Sequence, residues 1–278
     1  MVQFNYLTDI GAYRSHNDDV SLVVKNEWDQ VLLVVCDGLG GYAGSSTASL
    51  IVSDTIKDAF LRTDLKMIAR KQESNEALEE KEQEEAVLLE NNKSESCSGQ
   101  NQIRSWLIEL IHQAQNKITQ QANIDDQAYQ MATTLVVCLI INNQVYTMNI
   151  GDSRAYLLTA DKGFNHIGYD HNVLNRLKQM NAEPNLYKKY EKNLYSLTQY
   201  IGRLSNVVLT YDFYVNQLKK HDIIFLASDG FYPYYEMNNL YSYLTNEDDK
   251  EKIQQTLLKT VIDNDSQDNI SFAYYIHW

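Results

Sequence analysis

Residues 31–43, VLLVVCDGLGGYA, contain the pattern that decides the fold. The run begins with apolar residues rich in valine, and its length and composition are typical of a buried strand. Asp37 ends this run, and glycines follow at positions 38, 40 and 41. A carboxylate at the mouth of a buried strand costs free energy unless a cation compensates its charge. Because glycine also lets the backbone turn sharply and approach a ligand closely, the stretch predicts a ligand site at the end of the strand.

A second interpretation of the same stretch is a dinucleotide-binding unit, because Gly38, Gly40 and Ala43 satisfy the pattern G-x-G-x-x-A. That unit requires a second strand that ends in Asp or Glu about 20 residues further on. Ser45–Leu61 instead has its apolar residues at helical spacing, and a charged stretch follows it. The dinucleotide interpretation also gives no role to Asp37, so we disfavour it.

The composition restricts the class of protein. A chain of 278 residues with 44% hydrophobic residues can bury a sizeable core, and we expect a single domain over residues 1–278. The net charge of −13 argues against a nucleic-acid partner. No apolar run approaches the roughly 18 residues of a membrane span, and the first residues lack the pattern of a signal peptide. We therefore expect a soluble, cytoplasmic protein without a membrane partner, although these features leave export to a host cell open.

The cysteines exclude several chemistries. Cys36, Cys97 and Cys138 form no C-x-x-C pair, so neither a zinc site nor a disulfide framework is predicted. A cysteine-dependent phosphatase needs a thiolate at a fixed short spacing before an arginine, and Cys97 and Arg104 do not have that spacing. A serine hydrolase would carry a G-x-S-x-G turn, which the sequence lacks.

Two segments differ from the rest of the chain. Residues 66–102 are rich in glutamate and have no sustained apolar period, which predicts an acidic surface insertion that is helical at most in part. Residues 161–206 are mixed and polar. Between these segments, apolar residues at helical spacing over 103–118 predict an amphipathic helix. Asn142 and Asn143 then separate two apolar runs, which predicts a hairpin.

Four aspartates stand at the ends of predicted strands: Asp37, Asp152, Asp229 and Asp268. One carboxylate in such a place is often satisfied by backbone N–H groups or by an arginine. Four of them without a matching set of cations favour a site for hard divalent metal ions. Oxygen ligands favour Mg²⁺ or Mn²⁺ over Zn²⁺.

A pair of such ions suggests a chemistry. Two ions about 3.5–4 Å apart can share a water, lower its pKa from 15.7 toward about 7 and present hydroxide to a phosphorus centre. Arg14 could then bind two oxygens of a phosphate monoester through its planar guanidinium group. The residues alone therefore favour metal-assisted hydrolysis of a phosphate ester.

At this point the chain resembles the PPM/PP2C family of metal-dependent protein serine/threonine phosphatases, in its bacterial form. The resemblance covers nearly the whole length apart from the acidic insertion. It rests on motifs in the order of the family: DIGAYR (9–14), NDD (17–19), DGLGG (37–41), ATT (132–134), NIGDSR (149–154), DH (170–171), LTQYIG (197–202), ASDG (227–230) and DN (268–269). Each motif alone is weak, but the ordered set is specific.

The resemblance implies an α+β fold, a four-layer αββα sandwich. Two antiparallel β-sheets would pack face to face, with a pair of helices outside each sheet. Residues 161–206 would include a flap beside the site, which would shape the choice of substrate. The substrates implied are phosphorylated proteins, which we expect to be products of a serine/threonine kinase, and we expect a monomeric enzyme.

The resemblance also implies metal ligands. Asp37 would bridge two Mn²⁺ or Mg²⁺ ions, and a water or hydroxide between the ions would attack phosphorus directly. The Gly38 carbonyl would bind one ion, and Asp229 and Asp268 would bind the other. Asp152, together with Asp229, would hold a third and weaker ion.

Further residues receive supporting roles by the same resemblance. Arg14 would bind the substrate phosphate. Asp18 and Asp19 would order metal-bound waters, and Asn269 would support Asp268.

Two positions depart from the pattern of the family. Asp18 stands where the family usually has Glu, which shortens the side chain by one methylene group. Leu39 stands where animal and plant members carry a histidine thought to protonate the leaving group, whereas bacterial members tend to have an apolar residue there. The general acid is therefore unassigned, with His16, His171 and a metal-bound water as candidates.

The alternative from another class is a catalytically inactive module of the same fold that binds phosphoproteins or a regulatory partner. Decay of such a site usually removes a metal ligand first. Every expected ligand is present in this sequence, so we predict an active hydrolase.

Overall fold

The structure is a computed structural model that describes residues 3–39, 44–70, 91–124, 131–202 and 209–278. Four features of the sequence prediction lie outside these ranges: the glycines at positions 40 and 41, Ala43, residues 71–90 of the predicted insertion and residues 203–206 of the predicted flap.

The described residues form twelve strands and seven α-helices, numbered here in chain order, and two short 3₁₀ helices. The strands are β1 (Gln3–Asp9), β2 (Val20–Lys25), β3 (Val31–Cys36), β4 (Ala132–Thr133), β5 (Leu135–Ile141), β6 (Gln144–Ile150), β7 (Arg154–Thr159), β8 (Gly163–Ile167), β9 (Ile201–Gly202), β10 (Asp212–Gln217), β11 (Ile223–Ala227) and β12 (Ile270–Ile276). The helices are α1 (Ser45–Leu61), α2 (Leu65–Arg70), α3 (Asn91–Ile124), α4 (Val173–Gln179), α5 (Pro184–Lys189), α6 (Met237–Asn246) and α7 (Lys250–Asp263).

Ten of the strands form two five-stranded sheets, in the orders β1-β12-β11-β7-β8 and β10-β6-β5-β3-β2. Every pairing in both sheets is antiparallel. The remaining strands, β4 and β9, form a short antiparallel pair of their own.

Strand β3 shows why the sequence reads as an uninterrupted apolar run. Leu32 and Val34 belong to a core shared with α1 and α3. Leu33 and Val35 point to the opposite face and belong to a core built from both sheets. Since successive side chains of a strand point to opposite faces, a strand buried on both sides needs apolar residues at every position.

The helices cover the two outer faces of the sheets. Residues of α1 and α3, among them Phe60 and Leu107, are buried against the sheet that contains β3. Residues of α6 and α7, among them Leu240 and Leu257, are buried against the other sheet. The predicted αββα arrangement is therefore confirmed.

Several local predictions are also confirmed. The helix predicted over Ser45–Leu61 is α1. Asn142 and Asn143 connect β5 and β6 with φ values of 51° and 66°. Two consecutive residues with positive φ are the signature of a type I′ hairpin turn, which asparagine tolerates well.

The described parts of the predicted insertion, residues 66–70 and 91–102, are helical. Helix α3 begins at Asn91, well before the first apolar position of its stripe at Ile103. Residues 66–70 of the same segment belong to α2, whose Leu65 is fully buried. Apolar periodicity marks only the turns that pack on a core, whereas a helix already formed can extend through polar residues at little cost.

None of the helices in the described part of the chain combines the length and the apolar character that crossing a bilayer requires.

We predict that Leu33→Ala lowers the free energy of unfolding by about 2–5 kcal/mol, because Leu33 is fully buried between the two sheets. Urea denaturation measures this change. Leu50→Ala is the control, since Leu50 is 49% exposed on α1, and it should change stability by about 0.5 kcal/mol or less. Equal losses in the two variants would contradict the assignment of the core.

Candidate active site

The four strand-end aspartates are brought together in one cavity of about 340 Å³. In antiparallel sheets the end of one strand lies beside the start of the next. Asp229 follows β11 and Asp268 precedes its neighbour β12. Asp37 and Asp152 follow β3 and β6 in the opposite sheet. The sequence prediction that these four carboxylates share a site is therefore consistent with the packing of the sheets.

The cavity holds nearly all the residues that the sequence singled out. Its lining residues are Arg14, Asp18, Asp37, Gly38, Leu39, Asp152, Tyr195, Leu197, Asp229, Asp268 and Asn269. Of the predicted site residues only Asp19 does not line the cavity, although its charge still acts on the carboxyl of Asp37.

The backbone of Asp37 is held by two threonines of the ATT motif. The Asp37 N–H donates to Thr134 Oγ1 at 3.0 Å, and the Thr134 N–H donates to the Asp37 carbonyl at 2.8 Å. The hydroxyl of Thr133 donates to the same carbonyl at 2.9 Å. These bonds fix the point at which the chain leaves the buried strand, and they give the ATT motif a structural role.

Gly38 lies where the structure leaves no room for a side chain. A Cβ atom at this position would lie 2.5 Å from the Asp18 carbonyl oxygen and 2.8 Å from Ser45 O and Ser49 Oγ. A larger residue would therefore push apart the Asp18 loop and the start of α1. Close approach of three backbone segments explains the glycine.

Asn269 anchors the loop between β1 and β2. Its amide donates to the carbonyl oxygens of Ile10 at 3.0 Å and His16 at 2.8 Å, and its Oδ1 accepts from the Asp18 N–H at 2.9 Å. The hydrogen bond to Asp268 comes from the Asn269 backbone, whose N–H donates to Asp268 Oδ1 at 2.8 Å. The side chain therefore positions the loop, while the support of Asp268 comes from the backbone.

Arg14 and Asp18 lie on this loop and face the cavity. Arg14 Nη2 forms an ion pair with Asp268 Oδ2 at 2.5 Å, with both side chains partly exposed. Asp18 Oδ1 accepts from the N–H of Ser46 in the first turn of α1 at 3.1 Å. Among the described residues, no group of three or more His, Cys, Asp or Glu side chains lies close enough together to hold a metal ion in this arrangement.

Burial and mutual repulsion raise the pKa values of the cluster. Burial raises the pKa of Asp37 well above the usual range of a carboxyl, and the charge of Asp19 is the largest of four carboxylate contributions in the same direction. Burial also raises the pKa of Asp19 and of Asp152 to about 7, and in both cases the charge of Asp229 adds to the effect. The pKa of Asp229 is itself raised, first by burial and then by the charge of Asp268.

These features fit a site for hard cations. The Oδ2 atom of Asp19 is buried and has no hydrogen-bond partner within the described ranges. The cavity beside it is lined by five aspartates, and Arg14 is the sole basic residue in that lining, as far as the structure describes it. Oxygen donors that lack compensating charge are the ligands that Mg²⁺ and Mn²⁺ prefer.

The motifs NIGDSR and DH form a rigid support next to the cavity. Arg154 binds Asp170 through two hydrogen bonds of 2.8 and 2.7 Å, and its guanidinium lies 3.8 Å from the centre of the Tyr232 ring. The N–H of Gly151 donates to Nδ1 of His171 at 3.1 Å. These contacts hold the turn that carries Asp152.

The two histidines considered as general acids are placed elsewhere. The His171 ring accepts a hydrogen bond from backbone, and His16 contributes its carbonyl oxygen to Asn269. Neither residue lines the cavity.

Sequence reasoning missed one lining residue, Tyr195, and gave no role at the site to another, Leu197, the first residue of the LTQYIG motif. Both lie within residues 161–206, the predicted flap, and Tyr195 is 76% exposed. No spacing rule distinguishes Tyr195 from other flap residues. Their position beside the aspartates agrees with a flap at the site.

The sequence model of the family "Protein phosphatase 2C" matches residues 12–270. The chain belongs to the protein phosphatase 2C family, as the motifs predicted. Metal dependence is a general property of this family.

Relatives of the chain carry names of the same kind. A Mycoplasma pneumoniae protein, named provisionally as a protein phosphatase, is 31% identical over 272 residues, which cover 96% of this chain and 93% of the relative. The Serine/threonine phosphatase stp of Listeria innocua is 26% identical over 227 residues, which cover 81% of this chain and 76% of the relative.

Solved structures show the same fold. Serine/threonine phosphatase Stp1 from Staphylococcus aureus superposes with a TM-score of 0.74 at 24% identity, over 100% of this chain and 96% of that one. The sequence prediction of the fold is confirmed by this likeness as well.

We predict that in the presence of a chelator the melting temperature falls by several degrees as the pH rises from about 4 to about 8. The carboxyls of Asp19 and Asp152 have folded-state pKa values of about 7 against an ordinary 3.8. The folded state therefore binds more protons than the unfolded state between these values, and stability is lost as they ionise. Thermal scans across this pH range measure the effect.

Asp37→Asn is the matched variant for this experiment, because it removes one buried charge and keeps the shape of the side chain. The fall in melting temperature should be smaller in this variant. A melting temperature that rises across the same range would contradict the repulsion within the cluster.

Proposed function

We propose that the chain is a serine/threonine protein phosphatase that hydrolyses phosphoserine and phosphothreonine monoesters at the aspartate cavity. The observation that carries the proposal is Asp37, a half-buried carboxylate surrounded by other carboxylates in a cavity that also contains Arg14. Membership of the protein phosphatase 2C family and the names of the relatives support it. The same relatives favour an enzyme over a non-catalytic binding module.

Asp37, the Gly38 carbonyl, Asp229 and Asp268 are the residues that would hold two Mn²⁺ or Mg²⁺ ions. Asp152 would hold a third together with Asp229. Such ions, when bound, supply positive charge for the phosphate and an acidified water as nucleophile. The buried carboxyls contribute their negative charge and the fixed backbone of Asp37, held by its threonine contacts.

Arg14 binds the substrate phosphate in this proposal. Its guanidinium carries five N–H donors in a fork that matches two phosphate oxygens. One of its nitrogen atoms contacts Asp268 at 2.5 Å, so the group already lies at the edge of the cavity. An exposed ion pair of this kind contributes at most about 1 kcal/mol. Exchanging Asp268 for a dianionic phosphate therefore costs little.

Leu39 cannot donate a proton to the leaving group, as a histidine at this position would. The chain has six histidines, all within the described ranges, and none of them lines the cavity. We assign protonation of the leaving serine or threonine oxygen to a water molecule in the open cavity. The apolar Leu39 side chain would pack against the substrate.

The nature of the partners follows from the same proposal. The substrates would be phosphoproteins produced by a serine/threonine kinase, and the enzyme would act as a monomer. The absence of a nucleic-acid partner and the cytoplasmic location stay predictions from the sequence.

Release of phosphate from a phosphothreonine peptide tests the proposal. With Mn²⁺ or Mg²⁺ we expect turnover that a chelator abolishes. Asp37→Asn should lower kcat by at least about a hundredfold, because an interaction made in the transition state is lost. Asp229→Asn should also lower kcat.

Asp248→Asn is the matched control, since Asp248 is exposed and lies outside the cavity. This variant should retain full activity. Release that survives both the chelator and Asp37→Asn would contradict the metal site. No release from folded protein with either metal would favour the non-catalytic module, and Asp18 and Leu39 would be the first suspects.

A further inference from the structure

A second cavity of about 410 Å³ opens beside the flap, and no residue of the proposed mechanism uses it. Its lining residues are Asp170, His171, Asn172, Arg176, Gln179, Thr198, Gln199 and Thr210. All of them carry polar or charged side chains. The walls therefore suit a polar or ionic group of a ligand rather than an apolar one.

The second cavity lies directly beside the catalytic one. Leu197 lines the catalytic cavity, and Thr198, the next residue, lines the second. The Thr198 N–H donates to the His171 carbonyl at 2.8 Å, which fixes this dividing stretch of backbone. Consecutive Cα atoms are only about 3.8 Å apart. A peptide with its phosphorylated residue in the first cavity can therefore place a nearby side chain in the second.

The second cavity contains one positively charged group without a described counter-charge, the guanidinium of Arg176. Arg176 is exposed and has no ion-pair or side-chain hydrogen-bond partner within the part of the chain that the structure describes. Asp170 also borders the cavity, but Arg154 binds both of its carboxylate oxygens. Nε2 of His171 faces Asp212 Oδ1 at 3.7 Å. The guanidinium of Arg176 is thus the one charged group here without a described counter-charge.

The surrounding flap has the same sign of charge. Residues 161–206, the predicted flap, include four acidic residues against seven basic ones. The acidic residues are Asp161, Asp170, Glu183 and Glu191, and the basic residues are Lys162, Arg176, Lys178, Lys188, Lys189, Lys192 and Arg203. The chain as a whole has a net charge of −13. A local excess of positive charge beside the catalytic cavity attracts anionic groups and repels cationic ones.

We propose that this second cavity is a subsite for an Asp or Glu side chain of the phosphoprotein, close in sequence to the phosphorylated residue. Arg176 is its anchor, because a guanidinium binds a carboxylate through charge-assisted hydrogen bonds. The inference rests on the proposed function, which places the phosphorylated residue in the neighbouring cavity. It adds a substrate class, phosphorylation sites with acidic neighbours.

Paired phosphothreonine peptides test the subsite. Each pair carries Glu or Gln at one position, and the position is moved along both sides of the phosphothreonine. At one or two positions the native enzyme should prefer Glu by about threefold to fivefold in kcat/KM, the expected contribution of an ion pair with an exposed arginine. Arg176→Gln should reduce this ratio to about one, and Arg176→Lys should restore part of it. Added salt should weaken the preference.

Lys162→Ala is the matched control, because Lys162 is an exposed basic residue that lines neither cavity. It should keep the native preference. A native enzyme without preference at any position, or an Arg176→Gln variant that keeps the preference, would overturn the subsite.

Fluorescence anisotropy of the same labelled peptides separates this inference from the proposed function. If no peptide releases phosphate, the proposed function fails, but tighter binding of the Glu peptide that depends on Arg176 would still support the subsite. Equal binding of the Glu and Gln peptides to the native chain would overturn it independently of turnover.

Discussion

The structure depends on one electrostatic constraint, the placement of the half-buried Asp37 at the end of β3 among other carboxylates. The hydrogen bonds of Thr133 and Thr134 hold the backbone of Asp37 at this point. Gly38 then allows α1 and the Asp18 loop to approach closely. Such an arrangement is unfavourable by itself, because burial and like charges both oppose ionisation. A protein retains it where a cation compensates the charge.

The sandwich architecture is what assembles the cluster. Strands β3 and β6 belong to one sheet, and β11 and β12 belong to the other. Packing the sheets face to face brings their ends together, and the shared apolar core between them sets the distance. The site therefore stands on rigid strands, whereas Arg14 and the flap reach it from loops. This division suits an enzyme whose charged centre is fixed and whose substrate contacts can differ.

Much of this arrangement was predictable from sequence because strand ends leave a clear signal. An apolar run that stops at Asp and Gly, as at Asp37 and Asp229, marks both a buried strand and an unusual carboxylate. Tyr195 and Arg176 gave no such signal, since an exposed residue on an irregular loop or a short helix obeys no periodicity. The early start of α3 at Asn91 was missed for a related reason, because polar helical turns lack an apolar stripe.

Direct binding of Mn²⁺ tests whether the aspartates of the cavity hold divalent metal ions. Equilibrium dialysis or electron paramagnetic resonance of Mn²⁺ counts the ions bound by the native chain and by Asp37→Asn. We expect about two tightly bound Mn²⁺ ions in the native protein. The Asp37→Asn variant should remain folded and bind Mn²⁺ much more weakly. A native chain that binds no Mn²⁺, or an Asp37→Asn variant that binds it equally well, would contradict the account.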